Sequence, residues 1–304
     1  MALRREEVAD RLRDEAGYLA DRGLATVIAV ALALRKPLLL EGEAGVGKTE
    51  CAKAIADILD RRLIRLQCYE GIDIANALYD WNYARQMLYI RTLEAADAVD
   101  PGAVKDVFGP EFLSRRPLLE AIEHDDPAAP VLLIDEIDRA DDEFEAFLLE
   151  LLADFQVTIP EIGTVRADEP PIVVLTSNRT RELHDALKRR CLYHWIGYPS
   201  VGREVAIVHL RLADVPDRLA REAVCLVASL RGLDLFKAPG TAETLDWIQA
   251  LLSLRENELH PSLIDDTIGS LLKHYEDIDR VRERGLDELL PEARHRATGR
   301  MERG

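Results

Sequence analysis

The chain has 304 residues, of which 48% are hydrophobic and 31% are charged, and its formal net charge is −17. The length allows one large domain with a smaller one, and the composition is that of a globular protein. A charge this negative disfavours a nucleic-acid substrate. No apolar run is long enough to span a bilayer, and the N-terminus lacks the apolar core of a signal peptide, so we expect a cytoplasmic protein.

The cysteines and histidines are scattered along the chain. Cys51, Cys68, Cys191 and Cys225 form no CxxC pair, and no two of the seven histidines have the spacing of a zinc site. We therefore expect reduced, buried thiols and no histidine metal ligand.

Up to about residue 200, helical periodicity alternates with short apolar runs. The runs cover residues 37–40, 63–67, 131–134, 172–176 and 192–196. Because they are apolar on both faces, they predict strands of a largely parallel sheet covered by helices, that is, an α/β domain of three layers.

Beyond residue 200 the strand pattern ends. Helical spacing over residues 202–213, 216–230, 241–254 and 261–282 predicts a small all-α lid domain that ends near residue 285. We interpret residues 286–304 as a tail, and the arginine-rich stretch 280–303 as a solvated end of the chain.

The strongest motif is a glycine-rich loop between a predicted strand and a predicted helix. It fits G-x-x-x-x-G-K-[ST] at every fixed position. Its amides and the helix N-terminus suit phosphate, Lys48 can reach the terminal phosphates, and the Thr49 hydroxyl can ligate Mg²⁺. The residues predicted to bind ATP with Mg²⁺ are Gly42, Glu43, Ala44, Gly45, Val46, Gly47, Lys48, Thr49 and Glu50.

Two adjacent acids, Asp135 and Glu136, follow the apolar run 131–134. In a phosphate-binding domain, Asp135 would hold Mg²⁺ and Glu136 would act as general base toward the attacking water. The alternative is a strand that simply meets a polar loop, since Asp138, Asp141 and Asp142 follow closely.

Polar residues follow the next apolar run as well. Asn178 could orient the attacking water or contact the γ-phosphate, or it could cap the next turn. Arg189 or Arg190 could reach a neighbouring subunit's γ-phosphate as an arginine finger. Alternatively, this short basic run is a solvated helix end.

The order of these motifs resembles the AAA+ superfamily over residues 18–200. The period-two stretches 155–159 and 163–165, with the segment 108–113, resemble the MoxR family within it. Further resemblance to the CoxD-like branch of that family lies in residues 65–71, 149–156 and 176–183.

The resemblance also implies roles for individual residues. They are phosphate and Mg²⁺ binding for Lys48 and Thr49, Walker B for Asp135 and Glu136, sensor 1 for Asn178, arginine finger for Arg190 or else Arg189, and the adenine pocket for Tyr18 and Leu19. One feature departs from the family pattern. The stretch from Lys237 to Glu243, where many AAA+ proteins carry the sensor 2 arginine, contains none, so either Lys237 takes its place or the site lacks this contact.

What the resemblance implies about function is an ATPase that acts as a chaperone in maturation of a metalloenzyme, a molybdenum hydroxylase or carbon monoxide dehydrogenase. It implies a homo-oligomeric ring, a hexamer, and a partner with a von Willebrand factor A domain. A nucleotide-dependent switch or scaffold with little hydrolysis is the alternative. A nucleic-acid ATPase and a gas-vesicle relative are two further ones.

An aromatic-rich stretch, with Tyr79, Trp81, Tyr83 and Tyr89, stands out in a chain with only 6% aromatic residues. Packing in the core or a loop is the interpretation we favour. The competing hypothesis is that residues 79–83 contact a client protein.

Overall fold

The computed structural model describes residues 3–95, 107–160 and 162–298. It divides into two compact units. The first takes in the described residues of Met1–Ala16, Ala20–Glu41 and Thr49–Trp195, and the second those of Gly17–Leu19, Gly42–Lys48 and Ile196–Gly304. Among these residues, no helix is both long and apolar enough to cross a membrane.

The first unit contains all the described strands. They are β1 Leu38–Glu41, β2 Leu63–Gln67, β3 Tyr79–Trp81, β4 Leu113–Arg115, β5 Val131–Asp135, β6 Gln156–Ile159, β7 Gly163–Arg166, β8 Ile172–Ser177 and β9 Leu192–Trp195. Five of them form a parallel sheet in the order β2-β5-β8-β1-β9. Every residue of β1 and β5 is buried, which is typical of strands covered on both faces. The predicted α/β fold with a parallel sheet is confirmed.

Helices surround this sheet. They are α1 Arg5–Asp14, α2 Arg22–Leu34, α3 Lys48–Leu59, α4 Ile74–Ala77, α5 Tyr83–Ala95, α6 Pro117–Ile122, α7 Asp142–Asp154 and α8 Asp185–Arg190, with single 3₁₀ turns at Pro110–Phe112 and Ile137–Arg139. Several begin at an aspartate cap: Asp21 accepts the N–H of Leu24, and Asp141 that of Phe144. Leu119, Leu132, Phe144 and other apolar side chains fill the core of the unit.

Two small antiparallel sheets lie outside the main one. In the first, β6 pairs with β7 where the period-two pattern predicts a hairpin, and residue 161 of its turn lies outside the described residues. The second pairs β3 with β4, so that Tyr79 lies opposite Arg115. The sequence did not predict this second pair, because its strands have three residues each and show no clear alternation.

The second unit contains six helices within the described residues. They are α9 Val201–Arg211, α10 Asp217–Leu230, α11 Thr241–Ser253, α12 Pro261–Thr267, α13 Tyr275–Arg284 and α14 Leu286–Thr298, with a 3₁₀ turn at Ile268–Ser270. Their buried faces share one core around Trp247, which is fully buried and donates its indole N–H to Thr267 Oγ1 at 2.9 Å.

Two predictions about this unit need correction. The stretch 261–282 is not one helix, because the chain leaves helical geometry after Ser270 and α13 begins only after His274; Gly269, a poor helix former, lies at the break. The range predicted as a tail from residue 286 is helical up to Thr298. Its residues at helical spacing, Leu286, Leu289, Leu290 and Ala293, are buried in the common core. Residues 299–304 lie outside the described residues.

Candidate functional site

The glycine-rich loop, residues 42–48, belongs to the second unit. Gly45 has a φ of +75°, and a Cβ on Gly42 would lie 2.1 Å from the carbonyl oxygen of Ile196, so both positions require glycine. Lys48 is almost fully buried, and its ammonium donates to the carbonyls of Gly42 and Glu43, at 2.7 Å each. The cation is thus folded over its own loop, held by neutral oxygens that anionic phosphate oxygens can replace.

The start of α11 meets this loop within the same unit. The carbonyl of Gly45 accepts the N–H of Ala242 at 3.0 Å, and Glu243 Oε2 accepts the N–H of Gly240 at 2.9 Å. A Cβ on Gly45 would lie 2.5 Å from that Glu243 oxygen. The side chain that the start of α11 places beside the loop is therefore that of an acid, Glu243. Lys237, the candidate replacement for the sensor 2 arginine, is exposed. Sequence reasoning missed Glu243, although a glutamate at the third position of a helix is a known capping signal.

The residues predicted for the adenine pocket lie in this unit too. The Tyr18 ring approaches Gly47, since Cε2 is 3.7 Å from where a Cβ of Gly47 would stand. Leu19 is held through its carbonyl, which accepts from Arg203 Nη2 at 2.7 Å. Tyr18 thus lies beside the phosphate loop, and its contact with adenine remains a prediction.

In the first unit, the carboxyl ends of β5 and β8 bring polar residues together around Asp135. Its Oδ1 accepts from the Thr49 hydroxyl at 2.9 Å and from the Thr176 hydroxyl at 2.5 Å. Its Oδ2 accepts from Arg65 Nε at 3.0 Å and Nη2 at 2.5 Å. Asp135 is 1% exposed. A buried carboxylate beside a hydroxyl provides the hard oxygen donors that Mg²⁺ prefers, so these residues fit the ion.

Glu136 has an unusual backbone, with φ 54° and ψ 50°. Its N–H donates to Thr176 Oγ1 at 2.9 Å, so one threonine contacts both acids. Its Oε2 accepts from Gln67 Nε2 at 3.1 Å and from Arg139 Nη1 at 3.3 Å. A left-handed conformation in a non-glycine residue is strained and often marks a functional position. Gln67 and Arg139 were not predicted, because their role arises only from the pairing of β2 with β5 and from the turn after β5.

The acids create a negative environment around Cys68. Burial, and then repulsion of the thiolate by Asp135, Asp138 and Glu136, together raise the pKa of this thiol to about 12. A site with this field favours cations, which agrees with an Mg²⁺ site and disfavours a nucleophilic cysteine.

The segment that follows β8 is anchored by two buried acids. Asp138 accepts the N–H groups of Asn178 at 3.1 Å and Thr180 at 2.8 Å. Glu145 is fully buried and binds Arg181 and the N–H of His184. The N-cap of α8 is His184, so Asn178 does not cap that helix. Asn178 is half-buried at the end of β8, where a sensor residue is expected.

Arg189 and Arg190 occupy the last turn of α8 and are exposed. Within the described residues neither forms an ion pair. Both guanidinium groups are thus open to solvent, a position that suits a finger toward another subunit and also a solvated helix end.

The aromatic-rich stretch is split by the fold. Tyr79 and Trp81 pack partly against the core, and Trp81 meets the ring of Phe108 edge-on at 5.5 Å. Tyr89 packs against Phe112, whereas Tyr83 is 65% exposed. Packing therefore accounts for Tyr79, Trp81 and Tyr89, and a client contact remains a hypothesis for Tyr83.

Comparison with known sequences agrees with this geometry. No curated protein matches the chain. The family model described as AAA domain (dynein-related subfamily) matches residues 37–191, just over half of the chain. The chain belongs to the AAA family. The matched range contains the phosphate loop, both acids, Asn178 and the arginines of α8, and membership of this ATPase family implies ATP binding.

Solved structures also align with this AAA chain. A RuvB mutant from Thermotoga maritima is 18% identical, with a TM-score of 0.49, and the match covers 84% of this chain and 72% of that one. RuvB described as a Holliday junction branch migration motor, from the same organism, is 18% identical with a TM-score of 0.43. That match covers 80% of this chain and 65% of the other. A Cytophaga hutchinsonii chain with a provisional ATPase name is 15% identical, with a TM-score of 0.43. That match covers 94% of this chain and 93% of the other.

Proposed function

We propose that this chain is an Mg²⁺-dependent ATPase whose active site is completed by a second copy in a homo-oligomeric ring, a hexamer. The observation that carries the proposal is the cluster around Asp135. One buried carboxylate binds the hydroxyls of Thr49 and Thr176, and Glu136 follows it in a strained backbone conformation. In an AAA domain, this arrangement supports hydrolysis rather than nucleotide binding alone.

Each residue of the site has its own role in the proposed hydrolysis. The loop amides and Lys48 bind the phosphates, and Thr49 and Asp135 hold Mg²⁺. Mg²⁺, when bound, neutralises charge on the phosphate oxygens. Glu136 accepts the proton of the attacking water while the water oxygen bonds to the γ-phosphorus and the bond to the ADP oxygen breaks. Asn178 orients that water, and Arg190 or Arg189 of a neighbouring copy stabilises the developing charge.

We further propose that the energy of hydrolysis remodels a protein client, as the resemblance to the MoxR family and its CoxD-like branch implies. The antiparallel pair β6–β7 supports this, because that family carries a hairpin before the sensor strand. The client would be a maturing metalloenzyme of the molybdenum hydroxylase or carbon monoxide dehydrogenase type. A protein with a von Willebrand factor A domain would be the partner.

The first test compares the wild type with Glu136→Gln and Lys48→Ala, using a fluorescent ATP analogue for binding and phosphate release for turnover. We expect Glu136→Gln to bind as tightly as the wild type and to lose about a hundredfold or more in turnover, because the base is gone. Lys48→Ala should lose binding. Glu150→Gln, an exposed acid of α7, is the matched control and should behave as the wild type. Full turnover in Glu136→Gln would contradict the proposal.

One observation favours the alternative, a nucleotide-dependent switch or scaffold with little hydrolysis. Glu243 lies beside Gly45, where an arginine would help to bind the γ-phosphate in many AAA+ proteins. Tight ATP binding by the wild type, with turnover at background at every protein concentration, would support this second function.

The client proposal needs a separate experiment. Glu136→Gln loaded with ATP should hold its client, which can then be cross-linked and identified by mass spectrometry. Capture of a molybdenum-type hydroxylase supports the proposal. Capture of nothing beyond further copies of this chain contradicts it.

A further inference from the structure

We propose that Arg65 is a built-in competitor of Mg²⁺ at Asp135, so that this arginine sets how much free Mg²⁺ the chain needs for a metal–nucleotide complex. The inference rests on the proposed ATPase function. It adds a regulatory residue that the phosphate-loop and Walker motifs do not contain.

Two nitrogens of the Arg65 guanidinium donate to the same carboxylate oxygen of Asp135. Nε and Nη2 of the guanidinium lie 3.0 Å and 2.5 Å from Asp135 Oδ2. The Asp135 side chain is 2% exposed, whereas that of Arg65 is 49% exposed. A planar, permanently charged donor therefore covers one edge of a buried carboxylate from the solvent side.

Asp135 has little capacity left for another donor. A carboxylate offers about four lone-pair positions. The hydroxyls of Thr49 and Thr176 bind Oδ1, both nitrogens of Arg65 bind Oδ2, and Thr49 Oγ1 is also 3.2 Å from Oδ2. A metal-bound water that donates to Asp135 must therefore displace one of these groups.

Arg65 is the group that can leave at least cost. Thr176 is 1% exposed and also accepts the N–H of Glu136, so its hydroxyl is fixed. Thr49 can keep its hydrogen bond to Asp135 while its lone pair faces the metal. Arg65 has a long side chain that is half in solvent, and water can solvate the guanidinium once it is released.

The sheet explains why Arg65 reaches this carboxylate. Strand β2 pairs with β5 so that Gln67 lies opposite Asp135, and Arg65 lies two residues earlier. Residues two apart on a strand share a face, so the two side chains approach the acids together. Gln67 binds Glu136 and Arg65 binds Asp135, so each acid has its own donor from the neighbouring strand.

The competition has a clear electrostatic reason. Without a metal, a buried carboxylate is costly unless a positive group compensates it, and Arg65 supplies that charge. When Mg²⁺ binds, two cations would share one anion, and their mutual repulsion opposes binding. Arg65 thus stabilises the metal-free site and raises the Mg²⁺ concentration at which the metal enters.

The test measures metal binding directly, with Mn²⁺ as a paramagnetic substitute for Mg²⁺ and ADP as nucleotide. Free Mn²⁺ is followed by electron paramagnetic resonance for the wild type, Arg65→Gln, Arg65→Lys and Arg62→Gln. Arg62 is the matched control, because it is 52% exposed and pairs with acids away from this site, Glu120 and Asp126.

We expect the half-saturating Mn²⁺ concentration to fall about twofold to fivefold in Arg65→Gln, since a half-exposed charge contact is worth up to about that factor. Arg65→Lys should stay closer to the wild type, and Arg62→Gln should equal it. An unchanged or higher Mn²⁺ requirement in Arg65→Gln would overturn the inference while leaving the ATPase proposal intact. Failure of the wild type to bind nucleotide would overturn both.

Thermal unfolding separates competition from a merely structural role. In EDTA without nucleotide, Arg65→Gln should melt below the wild type, because Asp135 has lost its counter-charge. With Mg²⁺ and ADP, that deficit should disappear or reverse. An equal deficit in both conditions would mean that Arg65 only stabilises the fold, and would overturn the inference.

Discussion

Thr176 shows how one side chain can serve two neighbours. Its hydroxyl donates to Asp135 Oδ1 and accepts the N–H of Glu136. It therefore connects the carboxylate proposed to hold Mg²⁺ with the backbone of the proposed general base. Valine has the same shape without the hydroxyl, so Thr176→Val isolates this connection.

We expect Thr176→Val to cost about 1–3 kcal/mol in the free energy of unfolding, since two buried groups lose a hydrogen-bond partner. Turnover should fall more than nucleotide binding, because the orientation of Glu136 is lost. Urea unfolding and phosphate release measure the two effects. Thr164→Val, on the exposed hairpin strand β7, is the control and should change neither. A variant with wild-type turnover would show that this threonine does not position Glu136.

The thiol of Cys68 gives a second prediction. Its pKa is raised to about 12, first by burial and then by the nearby acids, so the thiolate becomes scarcer at neutral pH. Raising the pKa by about three from its ordinary value lowers the thiolate fraction at pH 8 by about a thousandfold. Iodoacetamide should therefore label Cys68 at least that much more slowly in the folded chain than in urea.

Peptide mass spectrometry assigns the label to each cysteine. The raised pKa of Cys68 also makes the free energy of unfolding depend on pH. Between the unfolded pKa near 9 and the folded pKa near 12, only the unfolded chain loses this proton, so stability falls as pH rises through that window. Rapid labelling of Cys68 in the folded chain at pH 8 would contradict the raised pKa.

At the scale of elements, the helices of the second unit are joined by a buried ion pair. Arg231, after α10, donates to both carboxylate oxygens of Glu204 on α9, at 2.6 Å and 2.8 Å. It also donates to the carbonyl of Pro239 and lies over the ring of Tyr198, and Thr244 of α11 donates to Glu204 as well. This network fixes the segment that leads to α11.

Removing one member should be costly. Arg231→Met leaves Glu204, which is fully buried, without its counter-charge, and we expect a loss of about 3–5 kcal/mol in the free energy of unfolding. The double variant Glu204→Gln with Arg231→Met should recover part of that loss, because no buried charge remains. Chemical denaturation followed by circular dichroism measures both. A double variant less stable than the single one would contradict this explanation.

The fold of the two units, element by element, was largely predictable. Apolar runs located all five strands of the parallel sheet to within a residue or two. The reason is clearest for β1 and β5, which are buried throughout, so that their runs are apolar on both faces. The break after Ser270 and the helix at Leu286–Thr298 were not predicted. Both depend on packing against the common core, which sequence periodicity does not reveal.

At the scale of the whole molecule, the question is whether copies complete each other's active sites. Arg189 and Arg190 are exposed, and in the described part of the chain no acid pairs with them. If one of them acts on a neighbouring copy, turnover per subunit should rise with protein concentration and reach a plateau as rings fill. A rate per subunit that is independent of concentration over a range in which the oligomeric state changes would contradict a shared site.

Substitution assigns the finger. We expect either Arg190→Ala or Arg189→Ala to lose about 10³-fold or more in turnover while retaining ATP binding. Mixing the defective variant with Glu136→Gln should restore part of the activity, because some interfaces then combine an intact base with an intact arginine. The control is Lys188→Ala, in the same helix turn. Absence of any recovery in mixed rings would indicate an arginine that acts within its own subunit.

The sequence by itself determined the α/β sheet, the glycine-rich loop and the position of Asp135, Glu136 and Asn178 at strand ends, because these follow from local pattern and spacing. Only the tertiary structure decided which groups meet them. Arg65, Gln67 and Thr176 reach the acids through strand pairing, and Glu243 reaches Gly45 through the start of α11. Such contacts join residues far apart in the chain, and their register is set by packing rather than by any signal within one segment.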